Sequence, residues 1–230
     1  MGLVLGVGAL TPLFAANSSG ELIRAATEGN LAQVKDAIAR GVDVNEHEEI
    51  IGRTPLIIAA SEGNLEIIKY LIEHGAKHDV KDTGDWTALM LAARNEHTDV
   101  VRFLLEKGAD PNAKNNLGWT AMMYASLYGY RDIAAALLDH QADPNIKCSE
   151  GRTALMYAVG NNHIDTVRLL IEKGADLDVT DVNGWTVLMY AEKNSNGVVL
   201  DLLKSVKAAK PHHQEIASQS QEAAPPTIRR

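Results

Sequence analysis

The sequence predicts an all-α solenoid of about six helix–turn–helix repeats of 33 residues, joined by hairpin-like loops. Two observations predict this fold class. A threonine-containing motif recurs at a constant spacing of 33 residues, and apolar pairs at helical spacing follow each copy. The composition agrees, because 46% of the 230 residues are hydrophobic and 23% are charged, as in ordinary globular domains.

A short apolar segment, residues 2–16, precedes the repeats. It carries no charge and is shorter than the roughly 20 residues that span a bilayer. It resembles the apolar region of a secretory signal with cleavage after Ala15 or Ala16, although no Lys or Arg precedes it. We expect residues 1–16 to be a signal peptide or apolar leader. If this segment is a signal peptide, we expect a periplasmic or secreted protein that has no stable membrane anchor once the segment is removed. If it is not a signal peptide, we expect a cytoplasmic protein.

The threonine motif marks the start of a helix pair. It occurs at Thr54, Thr87, Thr120, Thr153 and Thr186. A threonine hydroxyl caps a helix N-terminus well, and Pro55 follows at the first helical position, where its missing N–H costs little. The second helix of each unit carries apolar residues at i, i+1, i+4 and i+5, which form one stripe facing the first helix. Glycine closes most units, as at Gly75 and Gly108.

Two places depart from this pattern. A degenerate copy upstream aligns through Gly29 and Gly41 without the threonine, as is typical of a terminal capping repeat. Gln141 replaces the closing glycine of one unit, where a positive φ is strained for a residue with a Cβ. We therefore expect that turn to be distorted or less stable.

The period, the Thr-x-Leu signature and the closing Gly-Ala together resemble the ankyrin repeat, over about 190 of 230 residues. With its apolar leader the chain is similar to exported bacterial ankyrin-repeat proteins. We place the array at residues 17–208. Residues 209–230 are rich in Ala, Gln, Ser and Pro and are expected to be a disordered tail. The resemblance implies a stack whose hairpin tips and first-helix faces form a concave surface that binds a partner protein.

The residues expected on that binding surface flank the threonines. They are Trp86, Leu91, Arg94, Trp119, Tyr124, Tyr128, Arg152, Tyr157, Trp185 and Tyr190. Tryptophan, tyrosine and arginine dominate interface hot spots, and all three tryptophans of the chain directly precede a threonine. The tryptophans have two interpretations, partner binding or packing on the neighbouring tip, whereas the tyrosines favour binding. The set predicts an acidic or extended segment of a partner protein as the ligand.

Charge limits the choice of partner. The net charge is −8, which disfavours nucleic acid because its phosphate backbone repels an acidic chain. We expect a monomer. We expect no cofactor and no metal, since two adjacent histidines, His212 and His213, without further ligands are a weak metal motif.

Two alternative functions follow from other residues. His97 and His163 each precede an aspartate by two residues, which resembles an acid–base pair. Both occupy the turn between helices, where the ankyrin resemblance implies a histidine that makes local hydrogen bonds. The chain lacks a nucleophile elbow and a phosphate-binding glycine loop, so we predict no enzyme activity. The other alternative is a metal- or redox-responsive protein using Cys148 and the methionines three residues after the threonines. Packing between repeats is the favoured interpretation of those methionines.

Overall fold

The computed structural model describes residues 20–194 and 197–209, and these residues are helical without a β-strand. The chain divides between Ala109 and Asp110 into two compact units, called unit 1 and unit 2 below. The predicted leader, the predicted tail beyond Ala209 and the two adjacent histidines lie outside the described residues. No helix within the described ranges is long and apolar enough to cross a membrane.

Unit 1 holds three helix pairs. Its helices are α1 (Glu21–Thr27), α2 (Leu31–Ala39), α3 (Pro55–Glu62), α4 (Leu65–Glu73), α5 (Ala88–Arg94) and α6 (Thr98–Glu106). The first helices α1, α3 and α5 pack side by side, and the second helices α2, α4 and α6 form a second row. The degenerate upstream copy is therefore a complete helix pair, as the sequence predicts.

Unit 2 holds three further helix pairs. Its helices are α7 (Ala121–Tyr128), α8 (Arg131–Asp139), α9 (Ala154–Gly160), α10 (Ile164–Glu172), α11 (Val187–Lys193) and α12 (Gly197–Ala209). The first helices α7, α9 and α11 form one row, and α8, α10 and α12 form the other. The predicted class, a solenoid of helix–turn–helix repeats, is thus confirmed across the described residues.

The threonine caps predicted from the repeat are present in four of the five copies. Thr54 Oγ1 accepts a hydrogen bond from the Ile57 amide at 3.3 Å, and Thr87, Thr120 and Thr186 make the equivalent bond at 3.3 to 3.4 Å. Thr153 occupies the same position, but its buried hydroxyl makes no hydrogen bond among the described residues. A threonine therefore precedes the first helix in all five copies, including the copy in which its hydroxyl makes no capping hydrogen bond.

Small and branched apolar side chains fill the space between helices. The alanines five residues after each threonine, such as Ala59 and Ala92, are fully buried and let neighbouring first helices approach closely. Ile67, Ile68 and Leu71 of α4 are buried as the apolar stripe predicts. One position of this stripe is polar in unit 2, because Thr166 of α10 is 1% exposed and its hydroxyl has no partner among the described residues.

The turn at Gln141 keeps the geometry of its glycine counterparts. Its φ is 66°, in the left-handed region. Its amide donates to Leu138 O at 3.2 Å and the following amide of Ala142 donates to Leu137 O at 3.0 Å, matching the 3.0 Å bonds made by Gly108 and the residue after it. The expected distortion is therefore wrong. The helix end imposes the left-handed conformation, and Gln141 carries the steric cost of its Cβ instead.

Candidate protein-binding surface

An Asp or Asn side chain closes three of the hairpin loops between repeats. Asp82 Oδ1 accepts hydrogen bonds from the amides of Gly84 at 2.8 Å and Trp86 at 2.9 Å. Asn115 and Asp181 accept from the amides two and four residues later, at 2.8 to 3.0 Å. In each loop the second of these amides belongs to a tryptophan. The side-chain turn therefore holds the backbone that presents the indole.

Cys148 occupies the third position of this series, between Asn115 and Asp181, at the same spacing of 33 residues. Its thiol is buried, and Sγ lies 3.4 Å from the Tyr157 hydroxyl. The amides of Glu150 and Arg152, which an Asp or Asn at this position would bind, have no acceptor among the described residues. This loop is closed by backbone bonds alone, including the bond from Cys148 N to Arg152 O at 3.0 Å.

Aromatic rings cover the first helices of unit 2. The centroid of the half-buried Trp119 ring lies 4.9 Å from Tyr124 of its own repeat and 4.4 Å from Tyr157 of the next. Trp185 lies 5.3 Å from Tyr190. Aromatic rings at about these centroid separations attract one another. We call these five rings the aromatic surface of unit 2. Packing is therefore part of the role of both tryptophans.

Two cations lie on this aromatic surface. The Arg152 guanidinium is 5.6 Å from the Tyr190 ring centroid and 6.0 Å from that of Tyr157. The Lys193 ammonium lies 5.1 Å from the Trp185 ring centroid. Distances below about 6 Å allow a cation–π attraction. The cations and the rings therefore form one connected patch.

Asp181 is buried and contacts Tyr190 and Arg152 of this patch. Its carboxylate, 1% exposed, accepts a hydrogen bond from the Tyr190 hydroxyl at 2.7 Å, and Arg152 Nε lies 3.8 Å away. Burial alone raises the pKa of Asp181, but the Tyr190 hydroxyl, the amides of the loop and Arg152 outweigh it, so the pKa is lowered. Burial and the bond to Asp181 raise the pKa of Tyr190. Asp181 is thus held ionised and Tyr190 neutral near pH 7.

Two adjoining depressions open between the fifth and sixth repeats. The Trp185 depression, about 220 Å³, is lined by Arg152, Asp181, Asn183, Trp185, Tyr190 and Lys193. The Gly160 depression, about 270 Å³, shares Arg152, Tyr190 and Lys193 and extends past Met156, Tyr157 and Gly160. The hydroxyl of Tyr157 stays protonated, because burial and the Cys148 thiol raise its pKa. Both depressions therefore combine aromatic walls with two cations.

Unit 1 carries a smaller version of this arrangement. The Arg94 guanidinium lies 5.4 Å from the Trp86 ring centroid. Arg53 Nε lies 3.5 Å from Asp82 Oδ2, as Arg152 lies near Asp181 in unit 2. Where the residue before the threonine is an arginine, it therefore reaches the loop of the next repeat in both units.

The structure separates the ten residues predicted to bind a partner into two groups. Trp86, Arg94, Trp119, Tyr128, Arg152, Trp185 and Tyr190 are partly or largely exposed. Leu91 is 2% exposed, and Tyr124 and Tyr157 are each 6% exposed. Their contact with a partner stays a prediction, and Tyr157 also lines the Gly160 depression. Leu91 packs in the core of its repeat, and the Trp119 ring lies against both tyrosines. Tyr124 and Tyr157 support the surface from beneath.

The two histidines considered as acid–base residues serve the turns between helices. His97 Nε2 lies 2.9 Å from Ser61 O, and His163 Nε2 lies 2.9 Å from Leu127 O, each reaching the preceding repeat. Each ring lies directly over a glycine of that repeat, Gly63 or Gly129, at a distance that leaves no room for a Cβ. Their predicted local hydrogen bonding is confirmed, and it binds consecutive repeats together.

The methionines three residues after the threonines pack as expected. Met90, Met123 and Met156 are each 1% exposed, whereas Met189 is 47% exposed. Among the described residues, no three His, Cys, Asp or Glu side chains are grouped so as to hold a metal ion. With Cys148 also buried, the metal- or redox-responsive alternative has no supporting geometry in residues 20–194 and 197–209.

Sequence reasoning missed two features of this surface. Asp82, Asn115 and Asp181 recur every 33 or 66 residues, so the period alone marks them as one structural position that Cys148 shares. Gly160 stands where the neighbouring repeats have Leu127 and Lys193, and this exchange of a large residue for glycine was visible in the repeat alignment.

Comparison with known proteins agrees with the fold. A family model described as ankyrin repeats in three copies matches residues 22–115 and 141–215, and a single-repeat ankyrin model matches residues 117–149. The chain is 43% identical over 65 residues to protein phosphatase 1 regulatory subunit 27 of Homo sapiens, covering 28% of this chain and 42% of that protein.

Two other relatives match shorter parts of their own length. The potassium channel AKT1 of Arabidopsis thaliana is 38% identical over 63 residues, 27% of this chain and 7% of the channel. The glycerophosphocholine phosphodiesterase GDE1 of Candida albicans is 49% identical over 39 residues, 17% of this chain and 3% of that protein. The chain thus spans less than half the length of each of these three relatives. The ankyrin-repeat models match most of the chain, and this chain therefore belongs to the ankyrin-repeat family.

Proposed function

We propose that this chain is a protein-interaction module, and that the aromatic surface of unit 2 with Arg152 and Lys193 is its main binding surface. Ankyrin repeats indicate such a module in general. In this chain the proposal is supported by one observation above all: the partly exposed rings of Trp185 and Tyr190 lie beside two cations at two open depressions. Such residues contribute most of the energy of protein interfaces.

The alternatives have less support. A fold does not determine a function, and the three relatives differ in kind while sharing the repeats. Catalysis requires a nucleophile or an acid–base pair held in a site, and the two histidines with nearby aspartates instead bind backbone carbonyls. Export of the protein and its monomeric state remain predictions. An acidic or extended partner segment is the ligand that fits Arg152 and Lys193.

The first test is affinity capture with the full chain as bait and an extract of the source organism. A Trp185→Ala, Tyr128→Ala double variant removes one half-buried ring of the aromatic surface and the exposed Tyr128 ring at the end of α7. Phe103→Ala is the matched control, because it truncates a half-buried ring on the second helix α6 of unit 1. Far-ultraviolet circular dichroism and urea unfolding establish that each variant is folded.

The proposal predicts a partner that the wild type and the Phe103→Ala control retain and the double variant loses. The purified partner is then titrated against each bait by calorimetry, and we expect at least tenfold weaker binding by the double variant. Equal retention by all three baits would place the interface elsewhere. Failure of every bait to retain a partner would contradict the proposed role itself.

A further inference from the structure

Gly160 opens one of the two depressions of unit 2. It is the last residue of α9, and the equivalent positions in the neighbouring repeats of unit 2 carry Leu127 and Lys193. A Cβ built on Gly160 would have only Tyr190 Cδ1 within reach, at 4.0 Å, which is ordinary contact. Backbone strain and close packing therefore do not require a glycine here. Its effect is to leave open a space that a side chain fills in the adjoining repeats.

The charges around this space are of one sign. Arg152 and Lys193 line the Gly160 depression, and none of its lining residues is a carboxylate. Arg152 Nη1 pairs with Glu150 at 2.9 Å, and its Nε is near Asp181. Lys193 makes no ion pair with any carboxylate of the described residues, and its ammonium lies only over the Trp185 ring. The depression thus carries an uncompensated cation on a chain whose net charge is −8.

We infer that the Gly160 depression is a specificity pocket that receives a glutamate or aspartate side chain from the bound segment of a partner protein. The carboxylate pairs with Lys193, and the methylene groups of the acidic side chain lie against Tyr157 and Tyr190. An ion pair beside these rings contributes more than one in bulk solvent, because the effective dielectric constant near a protein surface is lower than that of water. The inference rests on the proposed function, since it concerns the same surface.

Two substitutions probe the pocket without removing any contact that holds the fold. Gly160→Leu introduces the residue found at the equivalent position of the preceding repeat and fills the space. Gly160→Ala is its control, because one methyl group leaves most of the depression open and favours the helix. Lys193→Glu reverses the charge. Lys204→Glu on α12 makes the same change of net charge at an exposed residue outside both depressions.

The experiment selects a phage-displayed library of random dodecapeptides on the immobilised full chain and sequences the enriched clones. We expect enrichment of Glu or Asp at one position next to apolar residues. The strongest enriched peptide, synthesised with a fluorophore, should bind the Gly160→Leu and Lys193→Glu variants at least about tenfold more weakly than the wild type. The Gly160→Ala and Lys204→Glu variants should bind it within about twofold of wild type.

Each other outcome decides against the pocket in a distinguishable way. Enriched peptides without an acidic position, or acidic peptides that bind all four variants equally, would overturn the pocket and leave the interaction surface standing. If Lys204→Glu weakens binding as strongly as Lys193→Glu does, the loss comes from net charge alone and the pocket is overturned. Failure to enrich any peptide, together with a failed affinity capture, would overturn both the pocket and the proposed function.

Discussion

Replacing Cys148 with Asn tests how the hairpin loops are built. In three loops an Asp or Asn side chain accepts two amide hydrogen bonds, and Asn115 also donates to the Tyr124 hydroxyl at 3.1 Å. Cys148 makes none of the amide bonds and approaches only the Tyr157 hydroxyl, with a weakly bonding sulfur. An asparagine in the same place finds the amides of Glu150 and Arg152 and the hydroxyl of Tyr157 in the positions that Asn115 uses.

The expected gain follows from these contacts. Three new hydrogen bonds contribute about 1 kcal/mol each to the net free energy of unfolding. Loss of the buried thiol costs about 1 kcal/mol of hydrophobic stabilisation. We therefore expect Cys148→Asn to raise the free energy of unfolding by about 2 kcal/mol. For an array of this length such a gain raises Tm by roughly 4 to 8 °C.

Urea unfolding monitored by circular dichroism, in the presence of a reductant, measures this change. Cys148→Ser is the control, since its shorter side chain removes the thiol without reaching both amides. We expect the serine variant to be no more stable than the wild type. An asparagine variant that matches the serine variant, or falls below the wild type, would refute the account of the loops.

Four further predictions concern single residues. Thr166→Val replaces a buried hydroxyl that lacks a hydrogen-bond partner among the described residues, and should raise the free energy of unfolding in urea by about 1 to 2 kcal/mol. Gln141→Gly relieves a left-handed residue with a Cβ, and after the larger chain entropy of glycine we expect a gain of about 0.5 to 1 kcal/mol in the same assay. Asp181 has a folded-state pKa below its ordinary value of 3.8, so its stabilisation is present above about pH 4 and is lost as the pH falls through the folded pKa. Asp181→Asn should therefore be less stable than the wild type at pH 7, and the difference should shrink at pH 3; an unchanged difference would exclude the carboxylate as its cause. Trp119→Ala should cost about 3 kcal/mol, more than Trp185→Ala, because Trp119 packs on two tyrosine rings instead of one. A cost below about 1 kcal/mol would show that its packing is not structural.

The periodic part of the structure was predictable from sequence. A repeat of constant length imposes the same helix start at each threonine, so Thr54 and Thr120 could be assigned their caps before any contact was known. The turn role of His97 was predictable for the same reason. Burial of Met90 follows from packing between repeats, which the period also implies.

Features that depend on two neighbouring repeats at once were not predictable in this way. The residues four positions after each threonine were expected on the binding surface, yet Tyr124 and Tyr157 are buried and the Trp119 ring packs against both. The repeat alignment shows glycine in place of Leu127 and Lys193 at position 160, but the depression also depends on Tyr190 and Lys193 of the next repeat, which line it. We expected Gln141 to distort its turn, but the residue adopts the left-handed conformation that the helix end requires.

The contact between a histidine ring and a glycine of the preceding repeat restricts the order in which these repeats can follow one another. Gly63 lies in the repeat before that of His97, and Gly129 lies in the repeat before that of His163. The repeat between those of Gly63 and Gly129 has Glu96 at the same turn position. Deleting residues 97–129 would put Glu96 beneath His163, where its Cβ has no room. Deleting residues 64–129 would put Gly63 there instead. The array should accordingly tolerate the loss of two repeats better than the loss of one, so these repeats are not interchangeable units.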